Sequence, residues 1–220
     1  MNAVFHVLLH RHRLPLLLVA VALLVGLVAT ALVVGAATDP GFSPWLTVAG
    51  SAVKYWLGAF GILLVVTHLR HFVAAGLTRR AVLAGGAALG ALLALGGAVL
   101  VPLGHGLEEA LIGDVSAGYP PWSPAVAVGE FGRLLPICLA FLVSGTVLAA
   151  AFYRFGTWRG LPLAALAGLP LLVSQELLRS DGSDLPYPAA LAVSLAVTLL
   201  GAVLCRWLVS DVAIRRPATP

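Results

Sequence analysis

The chain has 220 residues, of which 60% are apolar and 10% charged, and its mean hydropathy is +1.03. A soluble domain of this size can neither hide so much apolar surface nor carry so few charges, and no polar stretch is long enough to form a separate catalytic domain. The net charge of +4 does not point to nucleic acid, because the basic residues are spread over four short segments that anionic lipid head groups would attract.

A helix needs roughly 20 apolar residues to cross the ~30 Å hydrocarbon core of a bilayer. On that measure residues 1–220 form one all-α transmembrane domain, a polytopic membrane helix bundle of six spans at about 14–37, 52–69, 81–103, 131–152, 161–178 and 188–208. Residues 1–13 mix Val4, Phe5, Val7, Leu8 and Leu9 with His6, His10, Arg11, His12 and Arg13. They suit either an interfacial helix or an extension of the first span. That span is too long for the core of a cleaved signal peptide and reads as a retained anchor. The breaks between spans hold turn formers such as Asp39-Pro40-Gly41, Tyr119-Pro120-Pro121 and Asp181-Gly182-Ser183-Asp184.

Short loops rich in Lys and Arg stay on the cytoplasmic side. With the N-terminus inside, ten of the thirteen basic residues are cytoplasmic: Arg11, Arg13, Arg70, Arg79, Arg80, Arg154, Arg159, Arg206, Arg215 and Arg216. The acids, Asp211 excepted, fall at or beyond the outer ends, so both termini are expected in the cytoplasm, with 209–220 as a tail. Lys54, Glu130, Arg133 and Glu176 are expected near outer ends, away from the midplane where an ion relay would need them.

After the second span comes Thr67-His68-Leu69-Arg70-His71-Phe72-Val73-Ala74-Ala75-Gly76-Leu77-Thr78-Arg79-Arg80. Gly76 suits the left-handed position that ends a helix, and Thr78 suits the cap of the next. Arg79 and Arg80 then occupy a first turn, where the helix dipole disfavours each by about 0.3–1 kcal/mol. Lipid phosphate or a docked acidic protein surface would offset that cost. A haem or metal site on His68 and His71 lacks a partner histidine on another span.

The outer segment 105–129 holds His105, Glu108, Glu109 and Asp114. Without a second ligand group these read as a surface helix with Leu107 and Leu111 turned down and the acids up, rather than as a cation site. Trp45, Tyr119, Trp122, Tyr153 and Trp158 read as interfacial anchors. Cys138 and Cys205 lie too far apart to pair and read as buried thiols. Gly85, Gly86, Gly90, Gly96 and Gly97, with Ser144, Gly145, Ser194, Thr198 and Gly201, supply faces for close helix packing. No P-loop, serine elbow or intramembrane aspartate pair occurs, so no catalytic, cofactor or metal residue is expected on this chain.

The string from Arg70 to Arg80 resembles a segment of ABC-2 type transporter permeases: an aromatic and aliphatic pair, a small residue, Gly, an aliphatic, Thr or Ser, then basic residues. Ser144-Gly145-Thr146 through Ala151-Phe152-Tyr153-Arg154-Phe155-Gly156 and Trp158-Arg159-Gly160 looks like the end of the fourth span in small members of that group. The resemblance implies a multi-pass subunit of a bacterial plasma membrane exporter for an amphiphilic, peptide or lipid-like substrate. It implies a second permease chain, and a separate ATPase subunit that carries ATP and magnesium. Arg70, His71, Phe72, Gly76, Thr78, Arg79 and Arg80 would form the ATPase-coupling loop, with Arg154 and Arg159 in the second cytoplasmic loop. The link between spans five and six is shorter than that family's usual re-entrant segment. A scaffold or accessory subunit of a membrane complex is the alternative reading.

Overall fold

A computed structural model describes residues 4–10, 43–112, 120–179 and 185–210, together with 21, 25, 26 and 29. The first expected span falls almost entirely outside these residues, as do Tyr119, Asp114 and the tail 211–220. The described residues form helices and no strands. A short helix at 4–10 (α1) is followed by α2 (Pro44–Leu63), a π-helical turn (Leu64–Leu69) and α3 (Arg70–Ala74). Next come α4 (Arg79–Ile112), α5 (Pro124–Ala167), α6 (Leu169–Leu177) and α7 (Tyr187–Ser210).

Four helical stretches are long and apolar enough to cross a bilayer: Trp45–Ala74, Arg79–Leu111, Pro124–Leu177 and Tyr187–Ser210. The third, at 54 residues, would measure about 80 Å if straight, far more than one crossing needs. It is broken at Gly156, where φ is 73° and ψ is −175°, a combination open essentially to glycine alone. The chain folds back there. Beyond the break, Gly160 faces Phe152 and the backbone of Ala151 so closely that a Cβ would collide with them. Val143 before the break and Pro170 after it both reach Gly201 of α7. The Ser174 and Ser194 hydroxyls, both fully buried, share a 2.7 Å hydrogen bond between α6 and α7.

Long helices consecutive in the chain therefore alternate in direction, while α2, α5 and α7 run parallel. One end of the bundle gathers the starts of α2, α5 and α7 with the end of α4. The other gathers the α3–α4 corner, the Gly156 reversal and the end of α7.

Small residues set the spacing between helices. A Cβ on Gly145 of α5 would strike the Gly58 carbonyl of α2, and one on Gly61 would strike the Leu142 carbonyl, so α2 and α5 meet backbone to backbone. Gly86 and Gly90 of α4 instead receive the side chains of Leu64 and Leu142, Gly85 receives Val4 and Gly97 receives Val53. Gly96 borders open space. The α1 helix lies against the bundle, with Val4 and Leu8 buried one turn apart. Cys138 and Cys205 are free and buried in separate apolar clusters.

Several boundaries and placements differ from the sequence expectation. Helices α2, α4 and α5 run beyond the second, third and fourth apolar stretches, to Pro44, Ile112 and Pro124, because the flanking polar residues find helix-to-helix partners. Glu108 is not turned up to water: it is 0% exposed, whereas Leu107 and Leu111 are 45% and 59% exposed. His105 lies within α4 and is buried, not in a loop. Lys54 is also deeper than an outer end. Its neighbour Val53 seats on Gly97 near the middle of α4, and its ammonium stands 6.0 Å from the ring of Phe141, about midway between the start of α5 and Gly156.

Candidate functional site

The corner between α2 and α4 is built by local chemistry. Six residues, Leu64–Leu69, take a π turn, and the hydroxyl of Thr67 bonds back to the Leu63 carbonyl. The His68 ring nitrogen lies 3.1 Å from that same carbonyl. Short π segments of this kind recur at functional sites. The helix then stops at Gly76, with φ 87°. The Gly76 N–H donates to Val73 O at 3.0 Å and the Leu77 N–H to Phe72 O at 3.0 Å, the two bonds of a Schellman turn. Thr78 accepts from the Ala81 N–H at 3.2 Å and so caps α4. Gly76 and Thr78 thus occupy the positions their residue types indicate.

The arginines divide into two groups. Arg79 donates to the carbonyls of Ser210 at 2.8 Å and Val209 at 3.5 Å. Arg154, from α5, donates to Trp207 O at 2.8 Å and Leu208 O at 3.1 Å, and its guanidinium lies 4.5 Å from the centre of the Trp207 ring. Two cations from different helices thereby satisfy the last carbonyls of α7, where the macrodipole favours positive charge. The unfavourable dipole position of Arg79 on its own helix is offset inside the molecule, so it needs no outside anion.

Arg70, His71, Arg80 and Arg159 are exposed. His71 is held by Thr67 O. Phe72 is half-buried, stacked on the His68 ring at 6.2 Å, and joins both apolar clusters. Arg159 lies with Trp158, which is 89% exposed, on the far side of the Gly156 reversal.

A second set of polar contacts, at the opposite end, escaped the sequence reading. The Glu108 carboxylate accepts from the Ser43 hydroxyl at 2.5 Å and from the Trp45 N–H at 3.0 Å, closing the start of α2. Glu109 accepts from the Trp122 N–H just ahead of α5. The indole N–H groups of Trp45 and Trp122 donate to Val101 O at 2.8 Å and Pro102 O at 3.0 Å. Their rings occupy spaces left by Gly104 and Gly106. Both tryptophans thus act as interhelical ties. His105 and Glu130 form a buried pair at 2.9 Å. The available signal was the alternation Gly104-His105-Gly106 before two glutamates, with a Ser-Pro-Trp string at residue 43.

Among the described residues no group of three or more His, Cys, Asp or Glu side chains could hold a metal ion. In comparison with known proteins, the chain matches no family model, no curated protein and no solved structure.

Proposed function

We propose that the chain is the membrane-spanning permease subunit of an exporter, with six spans and with residues 1–13 and 209–220 on the cytoplasmic face of a bacterial plasma membrane. A separate ATPase subunit carrying ATP and magnesium docks on the exposed basic corner Arg70–Arg80, and a second permease chain completes the transporter. The substrate is amphiphilic, peptide or lipid-like. The observation that carries this reading is the construction of the corner: exposed Arg70, His71 and Arg80 stand on a Schellman turn. Arg79 ties that turn to the end of α7, while Leu69 and Val82 pack with residues of α5 and α7. A push on such a corner moves several helices together as a rigid body. The alternating helix directions and the arginines at one end support the orientation.

Because Arg79 is engaged internally, the test reverses only the exposed charges. Arg70→Glu with Arg80→Glu should abolish co-purification of a P-loop ATPase from native membranes while leaving the melting temperature of the detergent-solubilised chain within a few degrees. Undiminished recovery of the ATPase would remove the coupling assignment. Recovery of membrane proteins alone from wild-type membranes would leave a scaffold or accessory subunit as the reading.

A further inference from the structure

Lys54 is a cation in the interior of an apolar helix, and burying such a charge in hydrocarbon is costly unless an anion meets it. Two aromatic rings flank it: the ammonium lies 5.6 Å from the ring centre of Tyr55 and 6.0 Å from that of Phe141. These two rings meet edge to face at 5.3 Å. The described carboxylates are engaged elsewhere, Glu108 by Ser43 and Trp45, Glu109 by Trp122, Glu130 by His105 and Glu176 by Arg179. Aromatic faces hold a cation in place but leave its charge uncompensated.

Tyr55 is 62% exposed, so the side chain beside the ammonium opens outward and adds a hydroxyl donor. Val48 at 56% and Ile62 at 36% exposure lie on the face of α2 that carries Tyr55, and Val66 at 53% follows in the π turn, an apolar strip that continues on both sides of the lysine along the chain. We propose that Lys54 and Tyr55 form a binding site for the phosphate of an acylated anionic amphiphile, whose chain lies along this strip. The inference rests on the membrane placement above and names a substrate class for the exporter. The same head group could belong to resident phospholipid, and the experiment separates the two sources.

The test uses the full purified chain without any ATPase, in mixed micelles of phosphatidylglycerol and phosphatidylcholine, with native mass spectrometry of the lipid retained. Wild type and Lys54→Arg should keep a preference for phosphatidylglycerol, and Lys54→Met should lose it by about tenfold, the scale of one hydrogen bond to a charged group. Arg133→Gln, which removes an exposed arginine at the Glu108 end, should retain the preference. A wild-type preference in Lys54→Met, or its loss in Lys54→Arg, would overturn the site. Exchange of retained lipid against added short-chain phosphatidic acid then distinguishes sources. The substrate assignment requires exchange at the Lys54 site, and no exchange over hours marks structural lipid and overturns it. Since ATPase co-purification is a separate readout, the site and the coupling corner can fail independently.

Discussion

The two ends of α4 solve the same problem with opposite charges and different burial. At its last turns Glu108 and Glu109 accept from the beginnings of α2 and of the segment leading into α5. At its first turn Arg79 donates to the end of α7, joined there by Arg154. Glu108, Glu109 and Arg79 are each badly placed for the dipole of α4, their own helix, and well placed for the dipole of a neighbour. The carboxylate end is sealed, with Glu108 fully buried. The guanidinium end is half open, and its shortest bonds lie at exposed positions. A low dielectric strengthens the first set and water weakens the second. One end of the bundle is therefore held by buried charge-assisted bonds and the other by bonds that water and salt can weaken.

The largest effect expected from breaking this asymmetry is at Glu108. Glu108→Ala strands the Ser43 hydroxyl and the Trp45 N–H and should cost about 3 kcal/mol, hydrogen bonds to charged groups being worth roughly 1.5–3 kcal/mol each. Thermal unfolding in detergent measures it, and a loss below about 1 kcal/mol would mean the end is not sealed. Next, at the other end, is Gly156→Ala. Its positive φ with extended ψ should make the substitution cost about 1–3 kcal/mol and raise protease sensitivity around Trp158; an unchanged digestion pattern would argue against a strained reversal. The smallest effect is at the open clamp. Arg79→Gln and Arg154→Gln should each cost about 0.3–1 kcal/mol. The loss should shrink as salt rises, whereas the Glu108→Ala loss should not; equal salt dependence at both ends would erase the contrast.

Helix type and the corner were legible from residue pattern alone, because they rest on local rules: twenty-residue apolar runs, a glycine past a helix end and a threonine before the next. Gly76 and Thr78 need only their immediate neighbours to act. The charged residues were less legible because each acts on another helix. Arg79 looks misplaced until the end of α7, 130 residues along the chain, is brought beside it. Glu108 looks like a surface acid until Ser43 and Trp45 arrive, 65 and 63 residues away. Lys54 looks shallow in the sequence because its depth is set by where α2 begins, and the cap from Ser43 to Leu46 carries the helix eight residues beyond the apolar run that marks it, from Ala52 back to Pro44.

The reversal at Gly156 bears on how the chain packs. A hairpin whose bend is one residue has no connecting loop to keep its arms apart, and Gly160 is already against Phe152 one turn past the bend. Neither arm can therefore take its place at a distance from the other. The Pro124–Phe155 arm and its return through Leu177 form one packing unit, so whatever surface receives the first must make room for the second at once.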